Sequence, residues 1–410
     1  MARIIKVITI AASVALYLFP PSSQWVERHY SERAYPLLQT WITPISNWFP
    51  LPIADVLVLA LALGLPVWWV VRLKAAGKGR RGRAFGLLVF NTAVLASVIF
   101  LLFEILWGLN YSREPLSRKL DYDQKRITRE SVISLAALST NRLNAESPEA
   151  HSSPWPDDSE WARRLLPSFN AVVTDLGDSR AIAPARGKHS IFNLYLESAG
   201  IDGFTDPFGL DVVLNKDLLP IEKPFALAHE WAHLAGFADE SEANFIAMLT
   251  CVRSEDAVVR YAGWLDLYPR LPHAKPSEDG TPSGTGAPPQ TSTPSASSGT
   301  PQPSTRSGSD GAAHSSTPSP SGATAQTSTQ SGSDGVEPPL APEVESDLRA
   351  IQARLAKQIS PWLSSIQWRF YNRFLKANGV QAGVASYGLF IRLLLGTKFE
   401  AGWVPVIGAK

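Results

Sequence analysis

Residues 223–249, KPFALAHEWAHLAGFADESEANFIAML, decide the reading of this 410-residue chain. They contain the pattern H-E-x-x-H at His229, Glu230 and His233. Pro224 suits a first helical position, strong helix formers follow, and Gly236 suits the residue just past a helix end, so the spacing predicts a helix. On that helix His229 and His233 stand one turn apart on one face, and both imidazoles can reach a single metal ion at about 2.0–2.1 Å. Glu230 lies beside them, where a general base is needed to take a proton from water. With seven His in the chain, composition alone would produce the pattern in on the order of one such chain in a hundred. The uncharged neighbours Leu227, Ala228, Trp231, Ala232 and Leu234 fit a helix buried behind a metal site.

Three carboxylates compete to be the third ligand. Asp239 follows His233 by six residues with Gly236 midway, so HEWAHLAGFAD resembles the metzincin arrangement with Asp in place of the third His. Asp239 and Glu242 also form a capping-box pair at the start of a second helix, which would use both on backbone N–H groups and leave Glu240 free to face the metal. Glu240 is therefore favoured, with Asp239 and Glu242 still open. Asn244, one turn after Glu240, is placed to orient a ligand by a hydrogen bond.

Outward from this stretch the chain is apolar at its start. Only 18% of residues are charged, against about 25% in an ordinary soluble domain. Segments of about 4–20, 53–72 and 85–109 are long and apolar enough to predict three transmembrane helices, the second kinked at Pro66. Residues 20–50 read as a loop. The loop after the second helix holds Arg72, Lys74, Lys78, Arg80, Arg81 and Arg83 and no acid, so it is expected in the cytoplasm, with everything from about Asn110 onward extracytoplasmic. The expected location is the cell's inner membrane, as a multi-pass protein in contact with the lipid bilayer. Glu104 is a candidate intramembrane functional carboxylate, but its place near the outer end of its helix favours a headgroup-level contact.

Lys plus Arg number 38 and Asp plus Glu 37, so the net charge of +1 gives no drive toward nucleic acid, and no nucleic-acid partner is expected. Cys251 is the one cysteine, which excludes an intramolecular disulfide, a Cys-based zinc site and an Fe–S cluster. Any metal must be held by His and carboxylates.

Residues 128–143 and 159–176 carry apolar positions at helical spacing. DVVLN, at residues 211–215, is β-branched and bounded by turns, the best strand candidate, and reads as an edge strand that could pair with an extended peptide. Between Thr281 and Gln330 there is no Val, Ile, Leu, Met, Phe, Trp, Tyr or Cys, so this part of a Ser/Thr/Pro/Gly tract is expected to stay disordered. Helical patterning returns from Val344, with Trp362, Trp368, Phe370, Tyr371 and Phe374 supplying core-sized aromatics. The expected organisation is a membrane domain over 1–110, the HExxH domain over 111–273, a disordered insertion over 274–343, and C-terminal helices over 344–410 that complete the catalytic domain.

The E-x-x-A-N segment after HExxH is similar to the gluzincin style of metallopeptidase, in which the second helix supplies a Glu. WGLNYSREPL at Trp107, HEWAHLAGFADESEANF at His229, RYAGWL at Arg260 and FLKANGVQAGVASYG at Phe374 together resemble a family of bacterial membrane proteins, the domain of unknown function 3810 family. The resemblance implies a mainly α fold: amino-terminal transmembrane helices followed by a helical zincin-like, gluzincin-type domain with a small β element. It carries over His229, Glu230, His233 and Glu240 as the metal-site positions.

The expected function is a membrane-anchored zinc metallopeptidase, with Zn2+ as cofactor, Glu230 as general base, and peptides or envelope proteins as substrates. Tyr195, His189, Arg260 and Tyr261 are candidate oxyanion stabilisers by residue type alone. The alternative is a non-catalytic zinc-binding envelope protein with a structural or partner-binding role. A zinc hydrolase acting on a non-peptide amide is a further reading.

Overall fold

A computed structural model describes residues 1–177, 181–273, 338–358, 369, 373 and 389–408. Most of the expected insertion, and the aromatics Trp362, Trp368, Phe370, Tyr371 and Phe374 with the FLKANGVQAGVASYG segment, lie outside the described residues. The chain is mainly helical with a small sheet.

Among the described residues, two helices are long and apolar enough to cross a membrane: α3 (Ile53–Ala75) and α4 (Arg81–Leu106), with α1 (Ala2–Leu18) and α2 (Ser23–Ser46) ahead of them. The most apolar stretch of α3 buries no residue inside the protein, although Trp69 packs on α4 and donates to Thr92 Oγ1 at 3.0 Å. The break expected at Pro66 takes the form of a π-helical turn over Ala60–Gly64. At about 1.5 Å per residue, the 17 residues of α1 fall short of the ~30 Å hydrocarbon core. It makes a span only together with α2, from which it is bent by 109°. Ser13 Oγ donates to Ser97 Oγ at 3.0 Å, and Lys6 bonds Asn91, which hold α1 to α4.

The loop expected over residues 20–50 is instead this helix α2. Tyr35, Gln39 and Thr43, spaced four apart on one face, donate to the carbonyls of Leu234, Ala183 and Leu210 at 2.7, 2.6 and 2.9 Å. Ser31 continues the stripe with a 2.8 Å bond to Asn110 Oδ1, and Glu27 ends it in a buried pair with Arg113 at 3.0 Å. Polar groups so enclosed stay only because each has a partner. They make α2 part of the wall of the domain that carries the HExxH helix.

That domain is built from α5 (Arg129–Ala150), α6 (Asp158–Asp175), β1 (Gly187–Lys188), α7 (Asn193–Ala199), β2 (Gly203–Asp206), β3 (Asp211–Leu214), α8 (Lys223–Leu234), α9 (Glu240–Val252) and α10 (Ala257–Leu267). After the tract come α11 (Pro342–Gln358), α12 (Phe390–Gly396) and the hairpin β4 (Phe399–Glu400) and β5 (Val404–Pro405). Met1–His273 and Pro338–Lys410 fall in one contact unit. Trp231 shows how α8 is seated: it is fully buried, donates to Ala185 O at 2.8 Å and meets Phe169 edge-on at 5.4 Å. Burying one such side chain is worth on the order of 3 kcal/mol.

The sheet order is β1-β3-β2, with β1 parallel and β2 antiparallel to β3. DVVL is therefore the central strand, not the edge. Residues 211–214 are all buried, which explains their apolar, β-branched character. The edges are β1 and β2; β2 is a stretch of Gly, Phe, Thr and Asp too mixed for a strand signal.

The sheet also holds the start of α3. Ile53 N–H donates to Asp211 Oδ2 at 3.2 Å and Ala54 N–H to Asp206 Oδ2 at 2.7 Å, and Lys188 pairs with Asp211 at 2.6 Å. Two buried carboxylates thus sit at the positive end of a helix dipole. Burial pushes the Asp206 carboxyl above its usual range, against the backbone N–H groups it accepts.

Candidate metal centre

The Lys223–Leu234 helix carries Pro224 in its first turn and ends as expected at Gly236, which adopts φ +88°. Gly236 N–H bonds His233 O at 2.9 Å and Phe237 N–H bonds Ala232 O at 3.0 Å, the paired bonds of a Schellman ending. This turn has a consequence for the site: it folds the Phe237 carbonyl back to 2.8 Å from His233 Nδ1. Trp107 Nε1–H, from the segment after α4, donates to His233 O at 2.9 Å and pins the same turn from the other side.

Asp239 caps the next helix, accepting from Ser241 N–H at 2.8 Å and Glu242 N–H at 3.4 Å. Glu242 does not reach back to complete the capping box. Its Oε1 accepts from Leu116 N–H at 2.6 Å, and burial, with Asp239 adding, pushes its carboxyl up to about 8. Of the three competing carboxylates, only Glu240 faces the two imidazoles.

His229 Nε2, His233 Nε2 and Glu240 Oε2 form a triangle with edges of 3.1, 3.2 and 3.5 Å. Two donors on a tetrahedral ion with bonds of 2.0–2.1 Å are separated by about 3.3 Å, so the triangle has the right size for such an ion. Among the described residues, this is the one His/Cys/Asp/Glu group with metal-binding spacing. The imidazole planes stand at 88° with ring centres 4.7 Å apart, which lets residues one turn apart aim both Nε2 atoms at one point.

The chemistry of the donors is as informative as the spacing. His233 Nδ1 faces a carbonyl, and His229 Nδ1 faces Asn244 Oδ1 at 3.2 Å, while the amide nitrogen of Asn244 donates to Glu240 O at 2.8 Å. Facing acceptors, both Nδ1 atoms carry protons, which leaves a lone pair on each neutral Nε2. Two lone pairs and a carboxylate oxygen then converge, an arrangement that repels itself unless a cation lies among them. In the metal-free protein a proton fills that need: burial opposes a charge on His233, but Glu240 and Glu230 push it up to about 9, and the paired imidazoles hold Glu240 well below its usual range against its own burial.

Glu230 is 5% exposed and accepts from Thr205 Oγ1 at 2.9 Å through Oε2, while the same hydroxyl lies 2.8 Å from the Glu230 backbone carbonyl oxygen. Burial pushes the Glu230 carboxyl up, opposed by His229 and His233 and aided by Glu240. A Cβ at Gly203 would come 2.9 Å from Val213 O and 3.0 Å from Glu230 Oε1, so the absence of a side chain there lets the edge strand lie against the acid.

The cluster opens into a cleft of about 800 Å³ lined by the edge strand, by α8, and by Trp107, Tyr111, Tyr195 and Arg354. Tyr195 is thus on the wall, as its selection requires. The other oxyanion candidates are engaged elsewhere: Arg260 pairs with Glu146 at 2.8 Å, Tyr261 donates to Asp347 at 2.7 Å, and His189 faces Leu214 O at 3.0 Å. Reading by residue type missed Tyr111 and Thr205. Burial, with the Glu240 charge behind it, pushes the Tyr111 phenol far above its usual range, so it stays a neutral O–H on the cleft wall. Its signal lay in WGLNYSREPL, where an aromatic pair follows an apolar helix.

No curated protein and no solved structure matches the chain. One family model does, over residues 30–279 and 326–395, which takes in the HExxH helix, the carboxylate helix and the segment after α4. The chain belongs to the family described as Protein of unknown function (DUF3810).

Proposed function

We propose that this protein is a membrane-anchored zinc metallopeptidase of zincin-like, gluzincin type, with His229, His233 and Glu240 as the zinc ligands and Glu230 as the general base. The observation that carries the reading is the convergence of two Nε2 lone pairs and one carboxylate oxygen beside a second, hydroxyl-braced acid. Zinc in such a donor set acts as a Lewis acid, making water acidic near neutral pH and polarising a carbonyl beside it. Glu230 takes the proton from the attacking water and returns it to the leaving amine. The raised carboxyl of Glu230 suits the return step, and Thr205 keeps the group from rotating away. Asn244 and the Phe237 carbonyl hold the two imidazoles in the tautomer that binds metal.

In the antiparallel pair, Asn215 N–H bonds Asp202 O, so by alternation Phe204 and Asp206 bond β3 while the backbone groups of Gly203 and Thr205 point to the open edge. An extended peptide pairing with that edge runs past Glu230. Tyr111, a neutral O–H, is the donor on the cleft wall available to a developing oxyanion, and Tyr195 stands on the wall as a second phenol.

The basic residues between Arg72 and Arg83 lie at the end of α3 and α4 remote from the cleft, because α3 starts at the sheet and α4 ends at Leu106, just before Trp107, which bonds the HExxH helix. Under the positive-inside rule this supports an extracytoplasmic cleft, and the proposal places the protein in the cell's inner membrane.

The intact acid at Glu230 favours an enzyme over a purely structural zinc site, which needs ligands and no base. The test is proteolysis of casein by the zinc-loaded full chain in lipid nanodiscs. Cleavage lost in Glu230→Gln at unchanged zinc content is the expected result. Full zinc occupancy with no turnover of diverse peptides would favour the non-catalytic binding protein.

A further inference from the structure

Two walls of the cleft lead to the membrane end of the molecule. Phe103, in the last turn of α4, and Trp107, just beyond it, form one. Tyr195, from α7, stands on another. The loop before α7 is fastened to the first turn of α3: Asp55 accepts from Ser190 Oγ and from Ile191 N–H, both at 2.8 Å. The C-terminal end of α4 and the N-terminal end of α3 emerge on the same side, since residues 76–80 join their other ends. Both walls therefore stand at one bilayer face.

Large apolar side chains are exposed at this face. Ile191, Leu194 and Tyr195 are 48%, 78% and 46% exposed within five residues. On α2 and the turn after it, Trp25, Trp41 and Trp48 also point outward, in the manner of an interfacial aromatic belt. The cleft interior continues the same chemistry with Phe204, Phe225, Leu348, Ile351 and Leu355, and Arg354 neutralises Asp202 and Glu222 on its wall at 3.0 and 2.6 Å.

We infer that the rim of Ile191, Leu194 and Tyr195 rests in the lipid headgroup layer, and that the cleft takes polypeptide segments anchored in the same bilayer. This substrate class rests on the metallopeptidase reading. An anchored chain meets the cleft at the high effective concentration of a tethered partner, and its apolar side chains pass from lipid into an apolar pocket without crossing water.

The test uses the zinc-loaded full chain in vesicles of phosphatidylethanolamine and phosphatidylglycerol. A quenched-fluorescent library of apolar-centred peptides is supplied in two forms, free and joined to a 20-residue apolar helix. The expected result is kcat/KM at least tenfold higher for the anchored form, together with quenching of a bimane at Leu194→Cys by doxyl-labelled lipid at least half as strong as at Val67→Cys on α3. Equal rates for the two forms, or a Leu194 label quenched by iodide like the free dye, would overturn the inference while leaving the peptidase reading standing. No cleavage of either form would overturn the peptidase reading and this inference with it.

Discussion

His229 Nε2 and His233 Nε2 lie 3.1 Å apart while each ring turns its other nitrogen to an oxygen acceptor. With the Nδ1 atoms so directed, the two Nε2 atoms face each other and Glu240 Oε2 closes the triangle, so a proton or a cation must lie among the three. The surrounding hydrogen bonds hold the site in the form that receives a cation.

Zinc affinity should therefore depend on pH. With zinc removed, His233 holds a proton up to about pH 9, and zinc must displace it. Affinity measured against a competing chelator should rise about tenfold per pH unit from 7 to 9 and level off above, with one proton released per zinc by calorimetry in two buffers. A flat profile would contradict the assignment.

Asn244→Ala removes the acceptor of the His229 Nδ1 proton and touches no proposed ligand atom. Zinc affinity should fall about 10–100-fold, the usual effect of losing a partner that orients a ligand. Unchanged affinity would reduce Asn244 to an ordinary helix residue.

Gly236→Ala places a side chain at φ +88°, with its Cβ 2.9 Å from Asn110 Oδ1. The substitution should cost about 1 kcal/mol or more of stability. Because the same turn sets the Phe237 carbonyl against His233, zinc affinity should fall as well, read by titration at a temperature where the variant is folded.

Glu242 gives stability its own pH dependence. The folded protein keeps this carboxyl protonated up to about 8, whereas the unfolded chain releases the proton near 4.5. The contribution is thus fully present below pH 4.5 and is lost as pH rises through 8. Glu242→Gln keeps an acceptor for Leu116 N–H and carries no charge. Its melting temperature in chelator should exceed that of the wild type at pH 8.5, and the gap should close toward pH 5.

Much of the site was legible because its signals are local. The four-residue spacing of His229 and His233 fixes one helix face, Gly236 marks its end, and capping at Asp239 frees Glu240. What escaped reading depends on distant partners. The stripe Glu27, Ser31, Tyr35, Gln39 and Thr43 has helical spacing, but its members are polar and Pro36 and Pro44 interrupt it, so residues 20–50 read as a loop. Their helix exists because carbonyls of Ala183, Leu210 and Leu234 wait for them. The strand DVVL was found by its branched, apolar character, and that same character marks the sheet's centre. The edge strand at Gly203–Asp206 has no such pattern, since one face lies against Glu230 and its outer edge is unpaired within the sheet.

The most direct test of the three-residue cage is the zinc K-edge X-ray absorption spectrum of the full chain loaded with one equivalent of zinc. The account predicts two imidazole nitrogens and a carboxylate oxygen at about 2.0–2.1 Å, with one imidazole lost in His233→Ala and the oxygen shell altered in Glu240→Ala. A spectrum without imidazole scattering, or one unchanged by both substitutions, would contradict it.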